Sequence, residues 1–456
     1  MTVIVYRNSR WLGVDYAANQ SVTNRALEQN MVNAGFAKWA PGSAPRVPAG
    51  AVLKLRDPDT LAESIADLQA LANSVVGVAG AYNWKSSNTK NITRGAALAR
   101  SGLGRFRNVF MADSFFTGTD SLSAALTNAL RYGWISQSEE RFRQLGYNAS
   151  ESWGFGDRGA PSLAESAGLD PRLEYGGTTG IAPNWYSLSG WGWDLAGNVP
   201  TASVGFTPRD AFDRMECLYL TGSAGVGSFS TENQAGVAGG TVNTLTGNGV
   251  AVVEHSVPAG STKAIVRSAS AARSIVYGMG TRDSTKMGIE LLNCGRSGGD
   301  LLFFLGATTG NGFAGARVAI GQLMLAAPHA NCVHLGGGYN DTQIYGKTQI
   351  QVEAYTREQL TVQRSLAAAP DVVWHIYGPL NSAYGASAAF NNMLDAQIRI
   401  AIDEFDACVI DHRKTFDALG AELLANGYLA NGIHFHRLGQ EVMSSAFVRC
   451  MTQRYS

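Results

Sequence analysis

The stretch Asn108-Val-Phe-Met-Ala-Asp-Ser-Phe-Phe-Thr-Gly118 decides how the rest of this 456-residue chain is read. Val109 to Met111 is an apolar run, as expected of a strand covered on both faces. The run stops at a small residue, an acid and a serine. Thr117-Gly118 then interrupt it before a helical pattern begins. Open α/β sheets gather reactive groups at the C-terminal lips of their parallel strands. A serine in that place has its hydroxyl toward a cleft and its N–H toward an incoming oxyanion. The alternative is that Asp113-Ser114 only cap the following helix.

Strand–helix alternation surrounds this stretch. Further strands are expected over 287–292, 331–335, 372–377 and 407–410. Helices are expected over 122–132, 137–146, from 301 onward, and over 348–369, 387–405 and 438–451. Such alternation calls for a parallel sheet with helices on both faces. Between its first two strands the rhythm turns to short β segments, at 215–220, 250–253, 263–266 and 274–277, parted by Gly, Ser, Thr and Asn. That is the pattern of a small antiparallel sandwich inserted into the α/β domain. Residues 153–198 are rich in Gly, Trp and Tyr. They read as loops over a cleft, with aromatics such as Trp153, Phe155, Trp185, Tyr186, Trp191 and Trp193 either stacking on sugar rings or filling a loop core.

The N-terminal 50 residues form a separate block, with a strand at 3–6 and a small helix over 23–34. It closes on Pro41, Pro45 and Pro48, a linker signal. Residues 57–76 repeat apolar positions at helical spacing, either a packed helix or a short trimeric neck. Residues 86–94 read as loop. The expected organisation is an attachment module (1–50), a linker or helical neck (51–95), a first hydrolase-type part (96–200), the inserted sandwich (201–288) and a second part (289–456).

Bulk composition excludes several functions. The net charge is zero and charged residues make up 16%, so the chain carries no nucleic-acid footprint. No apolar run is long enough to span a membrane. The first residues lack the basic-then-apolar layout of a secretory signal, which points to a cytoplasmic product or one exported by another route. Cys217, Cys294, Cys332, Cys408 and Cys450 are scattered and odd in number, without CxxC spacing. They are expected to be buried free thiols rather than disulfides or zinc ligands. No metal or cofactor is called for.

Four loops should meet at one end of the sheet. They carry Ala112-Asp113-Ser114, Asn293-Cys-Gly-Arg-Ser-Gly298, Gly338-Tyr339-Asn340-Asp341 and Asn431-Gly-Ile-His434. Together they offer a nucleophile, backbone and side-chain oxyanion donors and a base. In this order the four blocks resemble those of the SGNH/GDSL hydrolase superfamily, over roughly residues 105–118 and 288–450. The resemblance implies a flavodoxin-like three-layer α/β/α domain. It implies Ser114 as nucleophile and oxyanion donor, Gly298 and Asn340 as further oxyanion donors, and His434 as general base. Two positions depart from the pattern. Ala112 replaces a glycine, a small change. Asn431 replaces the aspartate that orients the histidine; its amide oxygen can accept the Nδ1–H bond but lends no charge to an imidazolium. His436 reads as structural.

A rival lies in Gly295-Arg-Ser297-Gly-Gly299, which fits the Gly-x-Ser-x-Gly nucleophile elbow, with His334-Leu-Gly-Gly-Gly338 as an echo of the oxyanion motif. That echo lies downstream of the nucleophile, where the motif belongs upstream. The resemblance also implies ester hydrolysis, and the β-insert is similar to that of acetylesterases acting on carbohydrate, some of them phage tail deacetylases. The expected partners are then an acetylated polysaccharide, a virion tail bound through the N-terminal module, and two further copies of the chain in a homotrimer. A non-catalytic glycan-binding adhesin, or a lipase or thioesterase, are the alternatives.

Overall fold

The computed structural model describes residue 78 and residues 80–118, 129–156, 162–182, 192–195, 201–222, 227–246, 249–305, 321–324, 330–377, 388–416, 428 and 434–453, with the backbone of short strands between residues 3 and 39. The expected helix at 23–34, the neck at 57–76, Trp185, Tyr186, Trp191 and Asn431 lie outside the described residues.

The elements that build the site are β1 (Ala81–Tyr82), α1 (Lys90–Arg100), β2 (Phe106–Met111), α2 (Ser114–Thr117), α3 (Trp134–Gln144), β3 (Ala149–Ser150), β4 (Ile289–Asn293), α4 (Leu301–Leu305), β5 (Ala330–Gly336), α5 (Gln349–Arg364), β6 (Asp371–Ile376), α6 (Ala388–Arg399), β7 (Cys408–Asp411) and α7 (Arg437–Thr452). The strands form one sheet in the order β1-β7-β6-β5-β2-β4-β3. All neighbours pair in parallel except β1, which runs antiparallel to β7. Of the parallel strands the chain lays down β2 first, then β3 and β4 on one side of it, then β5, β6 and β7 on the other. The order reverses between β2 and β5, the place where doubly wound sheets generally carry a ligand crevice.

Alternation along the strands explains why both faces are covered. Phe106, Phe110, Leu291, Cys332, Val373 and Ile410 belong to one apolar cluster, completed by α1, α3 and α7. Val109, Met111, Leu292, Val333, Trp374 and Val409 belong to another, completed by α4, α5 and α6. The five cysteines are buried and unbridged. No helix among the described residues is long and apolar enough to cross a membrane.

Two antiparallel sheets fill the insert between β3 and β4. One orders its strands 173–176, 203–206, 264–268, 228–233 and 238–243; the other orders 180–182, 192–194, 275–282, 212–221 and 249–261, with 153–155 also paired to 275–282. Residues from both sheets, among them Phe206, Phe229, Trp193 and Met215, share one core. The sandwich therefore begins near residue 153, ahead of the expected start at 201. Trp153, Phe155 and Trp193 are buried, Trp193 in that core and the other two in the apolar cluster shared with the central sheet, not displayed over a cleft. Glycines made this stretch look irregular, yet they permit its close packing: a Cβ on Gly280 would sit 2.3 Å from the Trp153 ring. A second correction falls on 86–94, expected as loop. Helix α1 starts at Lys90, and residues 81–82 already pair with β7, so the α/β domain begins near residue 80.

Buried charge joins the sandwich to the central sheet. Arg107 donates to Glu216 at 2.6 Å and to Glu290 at 2.7 Å, and Arg105 bonds the same two carboxylates. All four side chains are under 10% exposed. Glu216 comes from the sandwich, Arg107 from β2 and Glu290 from β4, so the cluster ties the insert to the strand that leads into Ser114.

Candidate active site

Ser114 sits directly past β2, at the first position of α2, with only 6% of its surface exposed. Asp113 caps this short helix: its Oδ1 accepts from the Phe115 N–H at 3.1 Å. The capping role and the strand-end role thus coexist at adjacent residues. The turn is fixed from several sides. Trp134 Nε1 donates to the Phe115 carbonyl at 3.2 Å, Asn293 Nδ2 donates to the Phe116 carbonyl at 3.0 Å, and Thr117 Oγ1 donates to the Ser114 carbonyl at 2.9 Å.

His434 comes from the loop before α7. Its Nε2 lies 2.8 Å from Ser114 Oγ. The two residues are 320 positions apart in sequence, and the fold brings them into hydrogen-bond contact. The His434 ring also lies 5.6 Å from the Phe115 ring. Asn431, expected to orient the ring, lies outside the described residues.

The loop after β4 presses against the same turn. The Arg296 N–H donates to the Ala112 carbonyl at 2.9 Å. A Cβ on Gly295 would approach the Phe116 Cβ to 2.8 Å, so this close contact needs glycine. Gly298 adopts φ +73°, a left-handed conformation that glycine tolerates, and the space beside its α-carbon is open. The N–H groups of Ser114 and Gly298 find no acceptor among the described residues. For Ser114 this follows from its place in the first turn of a helix, where N–H groups have no intrahelical partner.

Asn340 opens a π-helical turn after β5 and is 3% exposed. Its Nδ2 donates to the Gly299 carbonyl at 2.8 Å, beside Gly298. An amide nitrogen carries a second hydrogen that this bond leaves over. Asp341 Oδ1 and Oδ2 each accept from the Leu301 N–H at 3.2 Å. Three loops, carrying Ser114, Gly298 and Asn340, are thereby stitched together past the ends of β2, β4 and β5, and His434 reaches Ser114 from a fourth segment.

Two carboxyls, next to Ser114 and to Asn340 in sequence, are pushed above the ordinary carboxylate range. Burial pushes Asp113 up to about 7, and its Oδ2 faces the buried Tyr377 hydroxyl without closing a well-formed hydrogen bond. Burial and the nearby Asp300 carboxylate push Asp341 up to about 7.

The sequence reading missed three features. Asn293 stitches two loops; it lay in the second block without an assigned task. Tyr345, five residues after Asn340, donates its hydroxyl to the Gly298 carbonyl at 3.0 Å. Finally, a buried row of rings crosses the sheet: His334 Nε2 meets Asn108 Oδ1 at 3.2 Å, His334 Nδ1 meets His375 Nε2 at 3.1 Å, and His375 Nδ1 meets His412 Nε2 at 3.0 Å. Polar residues at face-matched positions of β2, β5 and β6 were the available signal. His334 is therefore a core residue, which removes the oxyanion echo of the Ser297 rival. Ser297 itself lies in the loop between β4 and α4, four residues before the helix starts and not at a sharp turn directly into it. His436 is structural in position: its N–H donates to the Tyr428 carbonyl at 2.9 Å at the start of α7.

No protein-family model matches the chain, and no curated protein matches it in sequence. Among solved structures, a peptidoglycan O-acetylesterase captured in action aligns over 82% of this chain and 97% of its own, with 12% identity and a TM-score of 0.62. A member of the lipolytic G-D-S-L family from Veillonella parvula aligns over 35% of this chain and 78% of its own, at 16% identity and TM-score 0.26. The C-terminal CBM6 of LamC, a marine laminarinase from Zobellia galactanivorans, aligns over 25% and 94%, at 17% identity and TM-score 0.20. Of these three likenesses only the first is strong enough to show a shared fold, and it spans the insert as well as the sheet. The chain therefore shares the fold of that O-acetylesterase, a parallel α/β sheet carrying an inserted β-sandwich.

Proposed function

We propose that the chain is a serine esterase that removes O-acetyl groups from carbohydrate. The observation that carries this reading is the 2.8 Å contact between His434 Nε2 and Ser114 Oγ at the end of the central strand. A serine hydroxyl is a weak nucleophile until a base takes its proton. As Ser114 Oγ bonds to the acetyl carbonyl carbon, His434 Nε2 accepts the hydroxyl proton. The carbonyl electrons move onto oxygen, where the N–H groups of Ser114 and Gly298 and the free Asn340 hydrogen stabilise them. Collapse of the intermediate breaks the ester C–O bond, and His434 returns the proton to the departing sugar hydroxyl. Water then attacks the acetyl-enzyme, its proton passing to His434, and acetate leaves.

Carbohydrate enters as substrate through the shared fold, which belongs to an esterase named for O-acetylated peptidoglycan. The sandwich rigidly tied to the catalytic strand gives such a substrate an extended surface. Attachment of residues 1–50 to a virion tail, and assembly as a homotrimer, belong to the same reading and rest on the N-terminal sequence pattern alone.

A screen for acetate release over acetylated bacterial surface polysaccharides, with wild type beside Ser114→Ala, tests the function. Release by wild type and its loss in the variant are expected. Full activity in Ser114→Ala ends the esterase reading, and activity lost instead in Ser297→Ala establishes the rival.

A further inference from the structure

Two of the tryptophans expected to meet sugar rings are buried, Trp193 in the sandwich core and Trp153 in the apolar cluster shared with the central sheet. Beside the Gly298 and Asn340 loops a different aromatic residue stands in water. Tyr345 is 51% exposed, and its neighbour Ile344 is 60% exposed. Large apolar side chains displayed together beside a candidate active site call for an account.

Tyr345 is exposed but not loose. Its N–H donates to the Asn340 carbonyl at 2.9 Å, closing the π-helical turn that presents Asn340. Its hydroxyl donates to the Gly298 carbonyl at 3.0 Å. The ring is therefore tethered at both ends to the two loops that border the oxyanion position. An aromatic ring held in one place gives up little freedom when a ligand covers it, so its apolar face binds at low entropic cost. Sugars offer a matching surface, because the axial C–H groups of a pyranose form an apolar face rimmed by hydroxyls. The carbonyl that Tyr345 holds belongs to Gly298, the same residue whose N–H is the proposed oxyanion donor, so the ring borders the place an ester would occupy.

We propose that the Tyr345 ring, flanked by Ile344, is a stacking subsite for the pyranose residue that carries the ester. The inference rests on the esterase reading and adds to it the ring-bearing class of substrate. The hydroxyl and the ring have separable tasks: one fixes the Gly298 loop, the other meets the sugar.

The test compares glucose pentaacetate, which has a pyranose ring, with glycerol triacetate, which has none, by acetate release. Tyr345→Ala is expected to raise KM for the sugar ester at least about tenfold more than for the glycerol ester. Tyr345→Phe keeps the ring and loses the hydroxyl, and it is expected to keep the wild-type preference within about twofold. Tyr345→Leu fills the same space without an aromatic face and is expected to behave as alanine, which secures the test if the smaller residue disturbs folding. Equal KM changes on the two esters, or a preference lost as fully in the phenylalanine variant as in the alanine one, overturns the subsite. Ser114→Ala reports separately: loss of all acetate release there, with the Tyr345 variants showing no change in preference, leaves the esterase and removes the subsite.

Discussion

The buried histidine row makes a stability prediction whose size follows from its geometry. His334, His375 and His412 are fully buried, and the amide of Asn108 sets the direction of the row. Asn108 Nδ2 donates to the Phe106 and Glu290 carbonyls, so Oδ1 is left as acceptor for His334 Nε2–H. Each ring then donates from Nε2, His334 and His375 accept at Nδ1, and the His412 Nδ1 at the end has no partner among the described residues. All three rings are neutral. Burial lowers His412 from 6.5 to about 3. The unfolded chain therefore takes up this proton first as pH falls. The stabilising contribution is complete above pH 6.5 and is lost progressively toward pH 3. At about pH 5 the loss is one and a half pH units, about 2 kcal/mol at 1.4 kcal/mol per unit. His412→Phe removes the titration and leaves the His375 Nδ1 acceptor bare, which costs about 1–3 kcal/mol at neutral pH. Urea midpoints at about pH 8 and about pH 5 give the comparison. The variant is expected to be less stable at pH 8, with its deficit smaller by about 2 kcal/mol at pH 5. A deficit that is the same at both pH values refutes the neutral, buried assignment of the row.

Glu216→Leu strips one carboxylate from the cluster shared with Arg105, Arg107 and Glu290, leaving buried guanidinium charge uncompensated; a loss of about 3–5 kcal/mol in urea unfolding is expected, and a loss under about 1 kcal/mol contradicts the rigid seam. Asp113, raised to about 7, acts opposite to the histidines: its contribution is full below the ordinary 3.8 and is lost as pH rises through 7, so wild type should lose stability relative to Asp113→Asn across that window, as read by thermal melts. Asn340→Ala removes one proposed oxyanion donor and should lower kcat for acetate release roughly a hundredfold with little change in KM, whereas an unchanged kcat removes Asn340 from the reaction.

Much of the sheet was legible because its strands are covered on both faces. Runs such as 106–111 and 371–376 are buried at every position, and a continuous buried run announces itself without periodicity. The four loops were legible for a different reason, since each carries a polar residue immediately past such a run or before the last helix. What sequence could not supply was pairing. Trp153, Phe155 and Trp193 looked like loop residues because the glycines around them imitate irregular chain. Only their pairing to 275–282 shows that those glycines make room for rings between close strands. Helix α1 escaped for a similar reason: Lys90-Asn-Ile-Thr-Arg94 is polar, and its single buried anchor, Ile92, gives too little periodic signal. Tyr345 and Asn293 act through backbone carbonyls of distant loops, contacts that no local pattern encodes.

The most direct test of the Ser114–His434 couple is covalent labelling by an aryl phosphonate ester, followed by peptide mapping of the modified residue. A single phosphonyl group on Ser114 is expected, with labelling slowed at least about a hundredfold in His434→Ala. A label on Ser297, or on Ser114 at the same rate without His434, contradicts the proposed chemistry.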